Sequence, residues 1–97
     1  MEKQDAIAAL AALAHETRLD VFRLLVQAGP EGLPAGALAE ALDTPPATLS
    51  FHLKELRNAR LVRAERSGRS IRYAPDFTSM SALLGYLGEN CCVGSSC

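Results

Sequence analysis

No cysteine occurs before Cys91, and the three in the chain, Cys91, Cys92 and Cys97, all fall within its last seven residues. A disulfide scaffold needs paired cysteines spread along the sequence, so that class is excluded. No apolar run approaches the ~20 residues that span a bilayer. The Ala-rich stretch from Ala6 to Ala14 follows Glu2, Lys3 and Asp5, a net negative charge where an export signal carries positive charge. The expectation is a cytoplasmic protein without membrane association, in a compartment that keeps thiols reduced. A glycine-rich nucleotide loop is missing too, since Gly85-x-x-Gly88 does not make one. The two histidines, His15 and His52, stand apart from any nucleophile and acid that would complete a catalytic set, so they are read as structural or DNA-adjacent. These absences point away from an enzyme.

What is present is the composition of one soluble globular domain, with 48% apolar and 22% charged residues in 97. A chain this short buries only ~60–65% of its unfolded surface, which favours oligomerisation. Ile7, Leu10 and Leu13 mark one apolar face of a first helix over about 3–14. After His15-Glu16-Thr17 a second helix carries Leu19, Phe22, Leu25 and Val26 on one side and ends at Gly29-Pro30. Leu33-Pro34 opens a short third helix over about 35–42. Asp43-Thr44 then offers an N-cap, and Pro45 and Pro46 suit the first turn of a fourth helix reaching about Ala59. Residues 61–65 and 70–73 alternate like strands around the linker Arg66-Ser67-Gly68-Arg69, the pattern of a hairpin. A last helix over about 77–87 carries Met80, Leu83, Leu84 and Leu87. The predicted fold is therefore mainly α with a β-hairpin: four helices, two strands and a fifth helix.

The net charge of −1 hides an asymmetry. Between Thr44 and Ala74, seven cations (Lys54, Arg57, Arg60, Arg63, Arg66, Arg69 and Arg72) face only Glu55 and Glu65, a net +5, while the remainder carries −6. A basic stripe on one helix and the hairpin behind it is the electrostatic footprint of a double-stranded DNA surface. With Leu49, Leu53 and Leu56 turned inward, the fourth helix presents Ala47, Ser50, Phe51 and Lys54 outward. Small, polar and thymine-methyl-compatible groups of this kind meet base edges in a major groove. Arg57 is placed toward phosphates, and Arg66 and Arg69 at the hairpin tip reach the neighbouring backbone or minor groove.

Leu13-Ala14-His15-Glu16-Thr17-Arg18-Leu19, Leu38-Ala39-Glu40-Ala41-Leu42, Leu49-Ser50-Phe51-His52-Leu53-Lys54-Glu55-Leu56, Ala59-Arg60-Leu61-Val62 and the hairpin Gly68-Arg69-Ser70-Ile71-Arg72-Tyr73 together resemble the ArsR/SmtB family of metal-responsive repressors. The resemblance covers about 6–87. It implies a homodimeric winged helix-turn-helix with the first and last helices at the dimer interface, and an operator released when an effector binds. Two sensor sites common in that family have no counterpart here. Leu33-Pro34-Ala35-Gly36-Ala37 holds no thiol at the start of the third helix, and no histidine lies between Asp76 and Asn90.

The remaining candidate is the tail, which divides the chain into a DNA-binding and dimerisation domain over 1–88 and a sensor tail over 89–97. Soft thiolates select soft ions. Three thiolates underfill structural zinc, which takes four ligands. They match trivalent arsenic or antimony, whose lone pair occupies the fourth direction. Cys91 and Cys92 would point to opposite sides of an extended segment, so a turn is expected after Gly88. As(III), and by the same chemistry Sb(III), is the expected inducer at Cys91, Cys92 and Cys97, releasing a repressor of arsenic-resistance genes. A thiol-redox switch or a Zn/Cd-responsive repressor of the same fold is the alternative.

Overall fold

Alanine, not leucine, faces the core from α1 (Lys3–Leu13) in the computed structural model, which describes residues 1–94. Ala6, Ala9 and Ala12 are buried, and their methyl groups let the backbone lie close to its neighbours. Ile7 and Leu10 are left in solvent, with Ile7 51% exposed. Of the apolar face marked by the spacing, Ile7 and Leu10 are thus turned away from this chain's own core, and only Leu13 packs against it.

His15 ends the first helix and starts α2 (Glu16–Ala28), its Nδ1 accepting the Thr17 backbone N–H at 3.2 Å. Val21, Phe22 and Leu25 of α2 are buried, whereas Leu19, grouped with them by spacing, is exposed. Gly29 closes α2 at φ +88°.

Leu33-Pro34 leads into the third helix as expected, with Pro34 at its N-cap, and also forms a short strand, β1 (Leu33–Pro34). It pairs antiparallel with β3 (Ser70–Pro75), Leu33 opposite Tyr73 and Pro34 opposite Arg72, giving the sheet order β1-β3-β2. Proline is tolerated there because β1 is an edge strand. Gly32 makes the approach possible: at φ +69° its Cα lies against the Tyr73 carbonyl, where a Cβ would overlap that oxygen.

α3 (Ala35–Ala41) and α4 (Pro46–Asn58) form the helix-turn-helix. Pro45 occupies the N-cap and Pro46 the first helical position. The expected cap at Asp43-Thr44 is therefore displaced, because Asp43 adopts φ +48° and Thr44 Oγ1 donates to the Leu42 carbonyl at 3.1 Å. Leu49, Leu53 and Leu56 are buried as their spacing requires, and His52 joins them. The helix ends with Arg60 N–H on the Arg57 carbonyl at 2.9 Å and Leu61 N–H on the Leu56 carbonyl at 3.0 Å, the paired bonds of a Schellman motif.

The hairpin of β2 (Val62–Ser67) and β3 runs in register from Val62 opposite Pro75 to Ser67 opposite Ser70. Its turn is Gly68-Arg69, two residues shorter than the linker expected from sequence, with Gly68 first at φ +61° as a type II′ turn requires. α5 (Phe77–Gly88) is capped by Asp76 Oδ1, which accepts the Ser79 N–H at 3.0 Å, and it packs on α1. Leu83 is buried, but Leu84 and Leu87 are 63% and 57% exposed. Among the described residues no helix is long and apolar enough to cross a membrane.

Candidate functional site

α4 presents one long face to solvent. Ala47, Ser50, Phe51, Lys54 and Arg57 are all exposed along it, opposite the buried Leu49, Leu53 and Leu56. The wing tip adds Arg66 and Arg69, also exposed. The structure thus brings the expected residues onto two adjoining elements, the exposed face of α4 and the tip of the hairpin.

The seven cations of the basic segment do not all serve this face. Arg72 Nε and Nη2 donate to the carbonyls of Glu31 and Gly32, both at 3.0 Å, pinning the loop before β1 to the wing. Arg63 donates to the Pro30 carbonyl at 3.4 Å and pairs with Glu65 at 3.4 Å. Both arginines therefore stitch the sheet to the end of α2. Lys54, Arg57 and Arg60 line an open groove between α4 and β2, together with Arg63 and Asp76. A concave surface of this sign gathers polyanions.

Arg18, outside the basic segment, belongs to the same neighbourhood. Its Nε donates to His52 Nδ1 at 3.1 Å, and its guanidinium carbon lies 5.5 Å from the centroid of the Phe51 ring, a cation–π distance. The His15 and His52 rings stand 4.7 Å apart. Burial holds the His52 imidazole below the ordinary histidine pKa of 6.5, with help from the positive fields of His15 and Arg18, so at neutral pH it is uncharged and able to accept. No spacing rule marks Arg18; only the fold brings α2 beside α4. The second histidine is thus placed by a polar contact, in line with its structural or DNA-adjacent reading.

Beyond α5 the chain turns as its glycine and paired cysteines suggest. Cys91 N–H bonds the Gly88 carbonyl at 3.2 Å and Val93 N–H the Asn90 carbonyl at 3.3 Å. Asn90 and Cys92 take φ +61° and +64°, and the turn brings Cys91 Sγ and Cys92 Sγ to 3.1 Å. The two sulfurs therefore lie next to each other. Cys97, the third expected ligand, lies outside the described residues. Among the described residues no three His, Cys, Asp or Glu side chains converge as a metal site.

Comparison with known proteins agrees with this geometry. A family model described as a helix-turn-helix domain matches residues 13–65, more than half of the chain. The HTH-type transcriptional regulator NmtR of Mycobacterium tuberculosis is 41% identical over 75 residues, covering 77% of this chain and 60% of that protein. The chain thus spans about 60% of that relative's length. Among solved structures, an ArsR-like transcriptional regulator from Rhodococcus sp. RHA1 superposes with a TM-score of 0.77 at 27% identity, covering 87% of this chain and 76% of its own. The homodimeric winged helix-turn-helix DNA-binding domain of Mb0332 from Mycobacterium bovis, a possible ArsR-family regulator, gives 0.71 at 27% identity, with 90% and 81% covered.

An exposed helix in a helix-turn-helix, flanked by a basic wing, defines a winged helix-turn-helix domain of the DNA-binding kind. The chain belongs to the ArsR/SmtB family of helix-turn-helix proteins.

Proposed function

We propose that this regulator is a cytoplasmic, homodimeric repressor of arsenic-resistance genes, released from its operator when As(III) or Sb(III) is captured by Cys91, Cys92 and Cys97. The observation that carries the effector reading is the turn after α5, which holds Cys91 Sγ and Cys92 Sγ 3.1 Å apart. Residues 1–88 form the DNA-binding and dimerisation domain and 89–97 the sensor tail. Thiolates bind soft ions in preference to harder ones, and three of them complete the coordination of a trivalent arsenical.

The DNA surface follows from the face of α4. Ala47, Ser50, Phe51 and Lys54 meet base edges, Arg57 meets phosphate, and Arg66 and Arg69 reach the flanking backbone. A second copy of the chain covers Ile7, Leu10, Leu84 and Leu87, the apolar side chains that α1 and α5 leave in solvent. Because α5 leads directly into the thiol turn, ordering the tail biases the dimer toward a spacing that no longer matches two half-sites. Coupling of about 1–3 kcal/mol is ordinary for such a device and weakens binding ~5–150-fold.

Binding to DNA from upstream of the protein's own gene, measured with arsenite, antimonite, zinc, cadmium or peroxide, tests this reading. Arsenite is expected to release wild type and to leave Cys91→Ser, Cys92→Ser and Cys97→Ser bound. Undiminished wild-type binding in arsenite would overturn it. The adjacent sulfurs also suit a thiol-redox switch, and release by peroxide alone would assign that role to the same cysteines.

A further inference from the structure

An aromatic ring 53% exposed on a helix surface is a poor use of apolar area unless something covers it or it is held for a purpose. Phe51 is that ring, and it is not left to rotate freely. Arg18 lies over it at 5.5 Å, and Arg18 is in turn fixed by its hydrogen bond to His52, a residue only 6% exposed. His52 follows Phe51 in the chain, with their ring centroids 5.8 Å apart. The exposed ring is therefore neighboured by Arg18 and by His52, and the latter is buried.

We propose that Arg18 and His52 are positioning residues for Phe51, fixing its ring so that it reads thymine methyl groups in the major groove, and that a proton on His52 Nδ1 opens the clamp. The inference rests on the reading that the outward face of α4 meets base edges, and it adds a proton-dependent control of what that face recognises.

The chemistry is local. Neutral His52 accepts at Nδ1 and carries its own hydrogen on Nε2. A proton arriving at Nδ1 fills the lone pair that Arg18 uses, so two N–H donors and two positive charges then face each other at the former 3.1 Å contact. The guanidinium must leave, and the ring loses its cover. From the start of α2, His15 and Arg18 face the imidazole, and both disfavour its protonation. α1 contributes only alanines, Ala8, Ala11 and Ala12, to the groove that Arg18 shares with Glu55 of α4. Lys54 of α4, Glu40 of α3 and Arg63 and Glu65 of β2 are solvent-exposed. Burial, His15 and Arg18 all hold the proton off the imidazole, so a charged ring stands against the like charge of Arg18.

The experiment compares affinity for the upstream DNA with affinity for the same duplex carrying deoxyuridine in place of thymidine, which deletes only the methyl groups. Wild type near pH 8 should prefer the thymidine duplex about tenfold, the effect of one methyl buried in each of two half-sites. That preference should collapse as pH falls below the ordinary histidine value of 6.5 and through the lowered value of His52. Arg18→Met should lack the preference at every pH while keeping the wild-type salt dependence, which counts phosphate contacts.

His52→Asn supplies the decisive contrast, since its Oδ1 can take the place of Nδ1 as acceptor but cannot be protonated. It should keep the preference and lose its pH dependence. A folded Arg18→Met that retains the preference, or a His52→Asn that still loses it at low pH, would overturn the proposal. Phe51→Ala separates the two levels: if it discriminates thymidine from deoxyuridine as wild type does, the base-reading assignment of α4 has failed. If only Phe51→Ala loses discrimination, Phe51 reads the base but Arg18 and His52 do not position it.

Discussion

Arg60 occupies the left-handed region at φ +62°, one residue past the end of the α4 C-cap, where glycine is the ordinary occupant. An L-residue there costs about 1 kcal/mol. What the position gains is a guanidinium at the groove that also holds Lys54 and Arg57. Arg60→Gly should therefore raise unfolding free energy by about 1 kcal/mol in urea titrations. It should also weaken DNA binding and reduce the salt slope by about one phosphate per protomer. A variant more stable and equally tight in binding would mean that the arginine serves neither purpose. The charge of Arg60 was legible in the sequence, but its backbone conformation was not. The same holds for Arg63 and Arg72, which count as cations in any reading of the segment yet spend their hydrogen bonds on the Pro30, Glu31 and Gly32 carbonyls. Sequence pattern gives the sign of a patch; only the fold separates its solvent-facing members from those that hold the scaffold.

His52 makes a second prediction at this scale. Its folded pKa lies below 6.5, so between that lowered value and 6.5 the unfolded chain binds more protons than the native one. Stability therefore rises with pH across this window. The contribution is present above about pH 6.5 and is lost as pH falls through the lowered folded value. His52→Asn should flatten that segment of the stability-versus-pH curve, measured by chemical denaturation at several pH values, without altering the acid limb set by carboxylates.

At the scale of elements, the sheet depends on one glycine. Gly32 lies against the Tyr73 backbone, and the loop around it is tied to β3 by Arg72. Gly32→Ala places a methyl group into a carbonyl oxygen and a side chain at φ +69°, and is expected to cost more than about 2 kcal/mol. Hydrogen exchange should show the loss first in β1 and in the β3 amides facing it. The hairpin was legible because alternation and a glycine turn are local signals. So were the four long helices, whose apolar spacing and stop residues are local too. β1 was not, because two residues with a proline carry no strand signal of their own; they become a strand only by pairing with β3, about forty residues away. The N-cap of α4 was misplaced for a related reason, with Asp43 and Thr44 drawn into the preceding turn by the Leu42 carbonyl. The thiol turn, by contrast, could be expected from the geometry of two adjacent cysteines.

The whole molecule is elongated, 52 × 24 × 22 Å, with a radius of gyration of 14.9 Å against ~12.5 Å for a compact chain of this length. Elongation leaves α5 with little of its own chain to cover it: Leu84 and Leu87 stand in solvent, as do Ile7 and Leu10 of α1, the helix on which α5 packs. In the proposed dimer, a second copy covers these side chains. Leu84→Asp combined with Leu87→Asp should then give a folded monomer by sedimentation, since neither side chain packs in the protomer's interior. DNA affinity should fall ~10²–10⁴-fold, because two linked recognition helices bind with an effective concentration that separate ones lack. The same variant distinguishes sensing from response. Cys91 and Cys92 stand together within one chain, so if Cys97 of that chain completes the set, the monomer still takes up one arsenite per chain while its residual DNA binding no longer responds to it. Loss of arsenite uptake along with dimerisation would instead require a ligand from the second subunit, and the sensor would then be a property of the dimer rather than of the tail.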